Sequence, residues 1–280
     1  MTPKKILLAT DLTCRSDRAL DRTVALAEEW RAHVVVVHAL EAPLPVTDAP
    51  SWRQPMHPRD LVERRLRADL RGATLEIELV AERGEPAELI LETADRLGCE
   101  LIVTGIAREE TLLRAILGTT AEAVARRSKV PVLVVKSRPR GPYRRIVVAT
   151  DFSESSRSAF ETALAMFPDA HVGLCHAYEI PYETFLNDQM DARDQFAKEA
   201  LRQSEELLAS VPAATGRNVS LHCEYGTPAD VLRELVDALE IDLVVAGTQG
   251  RSMAATLIVG SVAQSLLSSV PRDVMIVRRS

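Results

Sequence analysis

Short apolar runs alternate along the whole chain with stretches in which apolar residues recur every three or four positions. Lys4 to Thr10 (KKILLAT) and Ala32 to Glu41 (AHVVVVHALE) are too short for helices and rich in branched residues, so they read as buried strands. Leu89, Ile90, Ala94 and Leu97 space like one apolar helix face, as do Val231, Leu232, Leu235 and Leu239. Pro86 and Pro228 fall in the first turn of those helices, where a missing N–H costs nothing. Strands alternating with amphipathic helices predict an α/β fold, with a parallel sheet covered on both faces.

The pattern is written twice. Arg144 to Asp151 (RRIVVATD) repeats Lys4 to Asp11 at a shift of 140, with Ile6/Ile146, Ala9/Ala149, Thr10/Thr150 and Asp11/Asp151 identical; Ser16/Ser156 and Ala19/Ala159 extend the match. Ala170 to Glu179 repeats Ala32 to Glu41 at 138, with six of ten residues the same. Gly84-Glu85-Pro86-Ala87 and Gly226-Thr227-Pro228-Ala229 match at 142, as do Glu100 to Val103 and Asp242 to Val245. The last helix and strand of each copy are Ala121 to Ser128 with Val130 to Lys136, and Val262 to Ser269 with Val274 to Arg278; Pro131 and Pro271 stand where a strand tolerates proline. Matches of this density mark an internal duplication.

Each copy therefore predicts five strands and four helices, in domains spanning 1–137 and 143–280, joined by a linker Ser137 to Pro142. The change of shift places four extra residues between the second and third strands of the second copy. There Tyr182 to Ser210 reads as a long helix; its partner, Pro58 to Gly72, follows a loop containing Pro43, Pro45, Pro50 and Pro55.

Candidate chemistry concentrates in Leu243 to Ser261, LVVAGTQGRSMAATLIVGS. A buried strand runs into Gly247, Gly250 follows three residues later, and after nine more comes Gly260-Ser261 at the start of a helix. The glycines would let the backbone turn and come close to a ligand. Ser261 and the free N–H groups after it would point at an anion. This is neither a Walker A loop, which needs Lys-Ser/Thr, nor a Rossmann G-x-G-x-x-G. Gly105, Gly118 and Thr119 stand at the same frame in the first copy, but Arg108 replaces the equivalent of Gly250.

Composition narrows the classes further. With 46% hydrophobic and 26% charged residues the chain is an ordinary globule, and a net charge of −6 with pI near 5.6 gives no basic face for nucleic acid. Arg138, Arg140, Arg144 and Arg145 read as a solvated linker. No apolar run reaches membrane-span length and no signal segment opens the chain, so a cytoplasmic protein is expected. Cys14, Cys99, Cys175 and Cys223 form no C-x-x-C pair and are expected as thiols.

ATD near each N-terminus, HA after each second strand and the G-x-x-G-nine-G-S motif of the second copy together resemble the universal stress protein family, over nearly the whole chain and twice. The resemblance implies a Rossmann-like five-stranded parallel sheet sandwiched by helices in each half. It also implies pairing of the last strands, near Val132 to Val135 and Val274 to Val277, about a pseudo-two-fold; open apolar edges would otherwise be sticky. It further implies ATP, with Mg²⁺ as companion, as ligand. Asp151 and the backbone of Ala177 would flank adenine and ribose, while Gly247, Gly250, Gly260, Ser261 and the N–H of Val262 would hold the phosphates. These positions lie at carboxyl ends of strands, where open α/β sheets bind ligands. Arg108 either blocks the first pocket or swings out to a phosphate, and loss of tight ATP binding there is the favoured expectation.

The implied function is nucleotide-dependent regulation in a stress response, through a homo-oligomer and a protein partner, with no nucleic acid or membrane. The alternatives are a slow ATPase using the same pocket and a scaffold that needs no nucleotide. Catalytic signatures are missing: no S-G-G-x-D-S loop, H-x-G-H pair, G-x-S-x-G elbow or H-E-x-x-H helix occurs. Cys175-His176 and His222-Cys223 should meet on neighbouring strands with one member of each on a common face, two ligands where a structural zinc needs about four. Core packing is the expected role there, as for Trp30 and Trp52.

Overall fold

The structure, a computed structural model, describes residues 1–14, 16–40, 57–70, 75–106, 119–180, 189–248 and 260–278. The first half contains β1 (Lys5–Ala9), α1 (Asp17–Trp30), β2 (His33–Ala39), α2 (Pro58–Asp69), β3 (Ile77–Glu82), α3 (Pro86–Leu97), β4 (Leu101–Gly105), α4 (Thr119–Arg127) and β5 (Val132–Val135). The second half repeats the plan with β6 (Arg145–Ala149), α5 (Glu154–Met166), β7 (His171–Tyr178), α6 (Gln189–Ala209), β8 (Val219–Tyr225), α7 (Pro228–Ala238), β9 (Leu243–Gly247), α8 (Ser261–Ser269) and β10 (Asp273–Val277). The long helix expected from Tyr182 is seen from Gln189, and residues 181–188 lie outside the described residues, as do the Pro-rich loop and Trp52. Pro86 and Pro228 open α3 and α7, whose caps are the side chains of Glu85, accepting from Glu88 N at 2.8 Å, and Thr227, accepting from Asp230 N at 3.3 Å.

Both halves join into one ten-stranded sheet of order β3-β2-β1-β4-β5-β10-β9-β6-β7-β8. Among the described residues every pairing within a half is parallel, and the single antiparallel contact is β5 with β10. There Leu133 stands opposite Met275. These are the same position of the two copies (275 − 133 = 142), so the pseudo-two-fold axis passes between them. Because that axis is normal to the sheet, α1, α2, α5 and α6 share one face, with Leu26, Leu66, Phe160 and Leu207 in one core. On the opposite face Ile90, Val124, Leu232 and Leu266, from α3, α4, α7 and α8, share the other. The expected pairing of the last strands is thus met, and both are almost wholly buried.

The halves are also locked by a buried polar cluster that the repeat does not contain twice. Asp273, fully buried, accepts from the N–H groups of Lys136 and Ser137 at 2.8 Å each and from the Tyr143 hydroxyl at 2.5 Å. Arg22 Nε approaches the same carboxylate at 3.6 Å; its Nη1 donates to Gly141 O at 2.8 Å, and its guanidinium lies 4.0 Å from the Tyr143 ring centroid. Lys136 donates to Leu266 O at 3.2 Å and Val270 O at 2.8 Å, capping the last turn of α8. The interdomain linker is therefore pinned by these bonds; its Arg138 and Arg140 are exposed as expected, whereas Arg144 and Arg145, also exposed, stand at the start of β6 and not in the linker.

Candidate functional site

In the second half the chain runs from β6 to β7 on one side and returns through β9 on the other, so β6 and β9 flank a topological switch point. Crevices of open α/β sheets form there, outside the carboxyl ends of the strands. Asp151 lies just past β6, Gly247 ends β9 and Ala177 lies near the end of β7, paired with Glu224. The structure therefore places these three positions on adjoining strands at one edge.

The loop after β6 is built by short-range bonds. Thr150 Oγ1 accepts from Phe152 N at 3.0 Å, and Phe152 takes a left-handed φ of 62°. Asp151 accepts from Ser153 N at 3.1 Å, and Ser153 caps α5 by accepting from Ser156 N at 3.2 Å. His176 Nδ1 lies 2.8 Å from Thr150 O; a carbonyl only accepts, so Nδ1 carries the hydrogen. The ring of Phe152 packs on that imidazole, centroids 4.3 Å apart. Phe152 was not singled out by the sequence. His176 was, through the recurring His-Ala and as a possible metal ligand beside Cys175, but not as a partner of Thr150. The structure places that His-Ala within the second strand of each half, not after it.

The phosphate half of the predicted site is described in part. Gly260 is the N-cap of α8, with no side chain to cap it, and its N–H donates to Thr248 O at 2.8 Å, tying the start of α8 to the end of β9. Ser261 is the first residue of α8, and Val262 behind it is exposed. The first N–H groups of a helix have no acceptor within it, and the helix dipole adds positive potential there. Gly250 lies outside the described residues, as do Arg108 and Gly118 of the first half.

Gly247 has a reason for being glycine that the sequence reading did not give. A Cβ at this position would meet the Ser155 backbone at 2.8 Å and would collide with its Oγ. The space is thus used by the first turn of α5, and close helix–strand packing, rather than ligand approach, accounts for the missing side chain.

The first half reproduces the loop scaffold. Leu12 takes φ 56°, its N–H donates to Thr10 Oγ1 at 3.0 Å, and His38 Nδ1 lies 2.9 Å from Thr10 O. Asp11 accepts from Thr13 N at 2.9 Å, Thr13 Oγ1 at 2.8 Å and Ser16 Oγ at 3.0 Å. Partial burial pushes its pKa up, but these hydrogen bonds outweigh it and leave the carboxyl below its ordinary value. Helix α1 begins at Asp17, equivalent to 157 at the local shift of 140, three residues later than α5. Thr13, the counterpart of the capping Ser153, is bonded to Asp11 instead.

A family model described as "Universal stress protein family" matches residues 2–136 and again 142–278. The chain belongs to the universal stress protein family. A universal stress protein relative from Staphylococcus haemolyticus is 30% identical over 142 residues, covering 49% of this chain and 85% of the relative. Two solved structures match across both halves. One, a universal stress protein of Archaeoglobus fulgidus, is 21% identical with TM-score 0.70, covering 99% of each chain; the other, from Pseudomonas aeruginosa, is 18% identical with TM-score 0.71, covering 99% of this chain and 93% of that one. These likenesses carry the fold: this universal stress protein holds two Rossmann-like units in tandem.

Among the described residues no group of three or more His, Cys, Asp or Glu is placed to hold a metal. Cys175 pairs with His222 and His176 with Cys223, the alternation expected. Burial pushes the Cys175 thiol up to about 12 and the Cys99 thiol up to about 11, values of inert core cysteines. No helix of the described residues is long and apolar enough to cross a membrane.

Proposed function

We propose that the second half of this universal stress protein binds ATP in the crevice between β6 and β9, and that occupancy controls association with a protein partner in a cytoplasmic stress response. The observation that carries this reading is the start of α8, an uncapped helix terminus tied by Gly260 to Thr248 at the switch point, beside the Asp151 loop. Backbone donors in that position suit phosphates. Asp151 would orient the ribose, the Ala177 backbone would meet adenine, and Gly247, Gly250, Gly260, Ser261 and the N–H of Val262 would surround the phosphates. Mg²⁺, where present, would neutralise phosphate charge.

Thermal unfolding with and without ATP and Mg²⁺ tests the proposal, because a ligand that binds only the folded state raises its stability by mass action. A rise in Tm, abolished or much reduced by Asp151→Ala, is expected. No rise at millimolar ATP would favour the scaffold reading, in which these glycines serve packing as Gly247 does. Phosphate release at many turnovers per second, lost in Asp151→Ala, would replace regulation by catalysis.

A further inference from the structure

At the amino edge of the sheet in the second half, away from the nucleotide crevice, β6, β7 and β8 and the end of α7 enclose a cleft of about 410 Å³. Val147, Leu239 and Ile241 give it apolar walls; Arg145, His171, Ser220, His222 and Glu240 supply its polar groups. Ser220 Oγ stands 3.1 Å from His171 Nε2 and 3.2 Å from His222 Nε2. One hydroxyl, with a single hydrogen and two acceptor lone pairs, thus joins two imidazoles and can donate to no more than one of them. Clefts of this size, mostly apolar with a few convergent polar groups, are where proteins hold small molecules.

The duplication shows that the fold does not require the cleft's chemistry. Gly173, opposite Ser220, is the counterpart of Val35, opposite Glu78 (173 − 35 = 138; 220 − 78 = 142), and His222 is the counterpart of Val80 (222 − 80 = 142). Val35 and Val80 are buried core residues of the first half. The second half has exchanged them for a glycine in a strand interior and a half-buried imidazole. Strand glycines weaken a sheet and often mark close approach of another group. Here a Cβ on Gly173 would fall 2.9 Å from Ser220 Oγ and 3.4 Å from His222 Cδ2.

We propose that this cleft is a second ligand site, taking a small carboxylate whose apolar body lies on Val147, Leu239 and Ile241 and whose anionic end meets Ser220, His171 and His222. An imidazole that gains a proton becomes a charged donor to the carboxylate. Arg145 at the rim adds positive charge, moderated by its 2.5 Å pair with Glu240. The groups facing His222 are His171 and Cys175 on β7, Ser220 and Glu224 on β8, Arg145 on β6 and Glu240 beyond α7. Burial lowers the pKa of His222, Glu224 opposes that shift and His171 reinforces it. A bound carboxylate draws a proton onto the imidazole, so binding strengthens as pH falls.

Calorimetric titration of the full chain with benzoate, and with benzamide as its uncharged isostere, tests this. Benzoate should bind at pH 6, weaken by up to about tenfold per pH unit above the imidazole pKa, and outbind benzamide. His222→Val and Ser220→Ala, which add no bulk to the cleft, should each reduce benzoate affinity severalfold. Gly173→Val, which fills the cleft, should abolish it; if that chain fails to fold, the other two variants decide. Lack of binding at millimolar benzoate, equal affinity for benzamide, or unchanged binding in His222→Val would overturn the proposal. Each readout is independent of ATP, so its failure leaves the nucleotide reading untouched.

Discussion

The two halves share a fold and a loop scaffold yet differ where polar groups are buried. Both place a threonine hydroxyl under a left-handed residue, Leu12 or Phe152, and both bind a histidine Nδ1 to the threonine carbonyl. At the seam the likeness ends. Asp273 is equivalent to Pro131 and Lys136 to Arg278 at the shift of 142, so the ion cluster occupies one end of the pseudo-two-fold interface. Homologous strands supply the apolar contact, while a unique carboxylate joins the linker to α1 and Lys136 beside it holds the end of α8. The repeated strand supplies the two sides of the interface, and differences at single positions between the copies make it asymmetric.

The largest test removes that carboxylate. Asp273→Ala strips Lys136 and Arg22 of their buried counter-charge and should cost about 3–5 kcal/mol in urea unfolding. Pro131→Ala, its counterpart, should change stability by about 0.5 kcal/mol or less. Equal effects would show that the seam behaves symmetrically.

Next in size is the exchange of the loop residues that separate the two candidate nucleotide sites. Gly250→Arg, copying Arg108, should erase the ATP-dependent rise in stability, which is about 2.7 kcal/mol at a hundredfold excess over Kd. Retained binding would mean that Arg108 does not explain a weak first site. Gly247→Val should cost about 1–3 kcal/mol by overpacking against Ser155, measured by unfolding without nucleotide. A loss of ATP affinity at unchanged stability would instead restore the ligand-approach account of that glycine.

The smallest effect is a pH profile. Burial lowers Lys136 to about 8, against the attraction of Asp273, while the unfolded side chain titrates near 10.5. Between those values the unfolded chain binds more protons, so stability should rise from about pH 8 towards pH 10. Tyr143 acts in reverse: burial, then Asp273, holds it well above 10, so above pH 10 the folded chain keeps a proton that the unfolded one loses, and stability should fall. Lys136→Met should flatten the rise and keep the fall, as read from urea midpoints across pH.

Strand and helix order and the duplication were legible in the residues, because they follow from local periodicity, while the β5–β10 pairing was implied by the family resemblance and agrees with edges that must be covered. The carboxyl-edge placement of Asp151, Ala177 and Gly247 follows from the same strand order. Other features had no local signature. Asp273 looks like an acid before a strand, and its partners Arg22, Lys136 and Tyr143 lie between 130 and 251 positions away (273 − 143; 273 − 22). Gly247 looks like a ligand-facing glycine until α5 is seen lying against it.

By itself the sequence determined the family, the twofold plan and the elements, since apolar spacing acts on the backbone wherever it occurs. Only the tertiary structure decided which Cβ has no room, which carboxylate is wholly buried and which strand positions open a cleft. Those outcomes depend on distances between residues far apart in the chain, and such distances exist only after folding has removed water from between them.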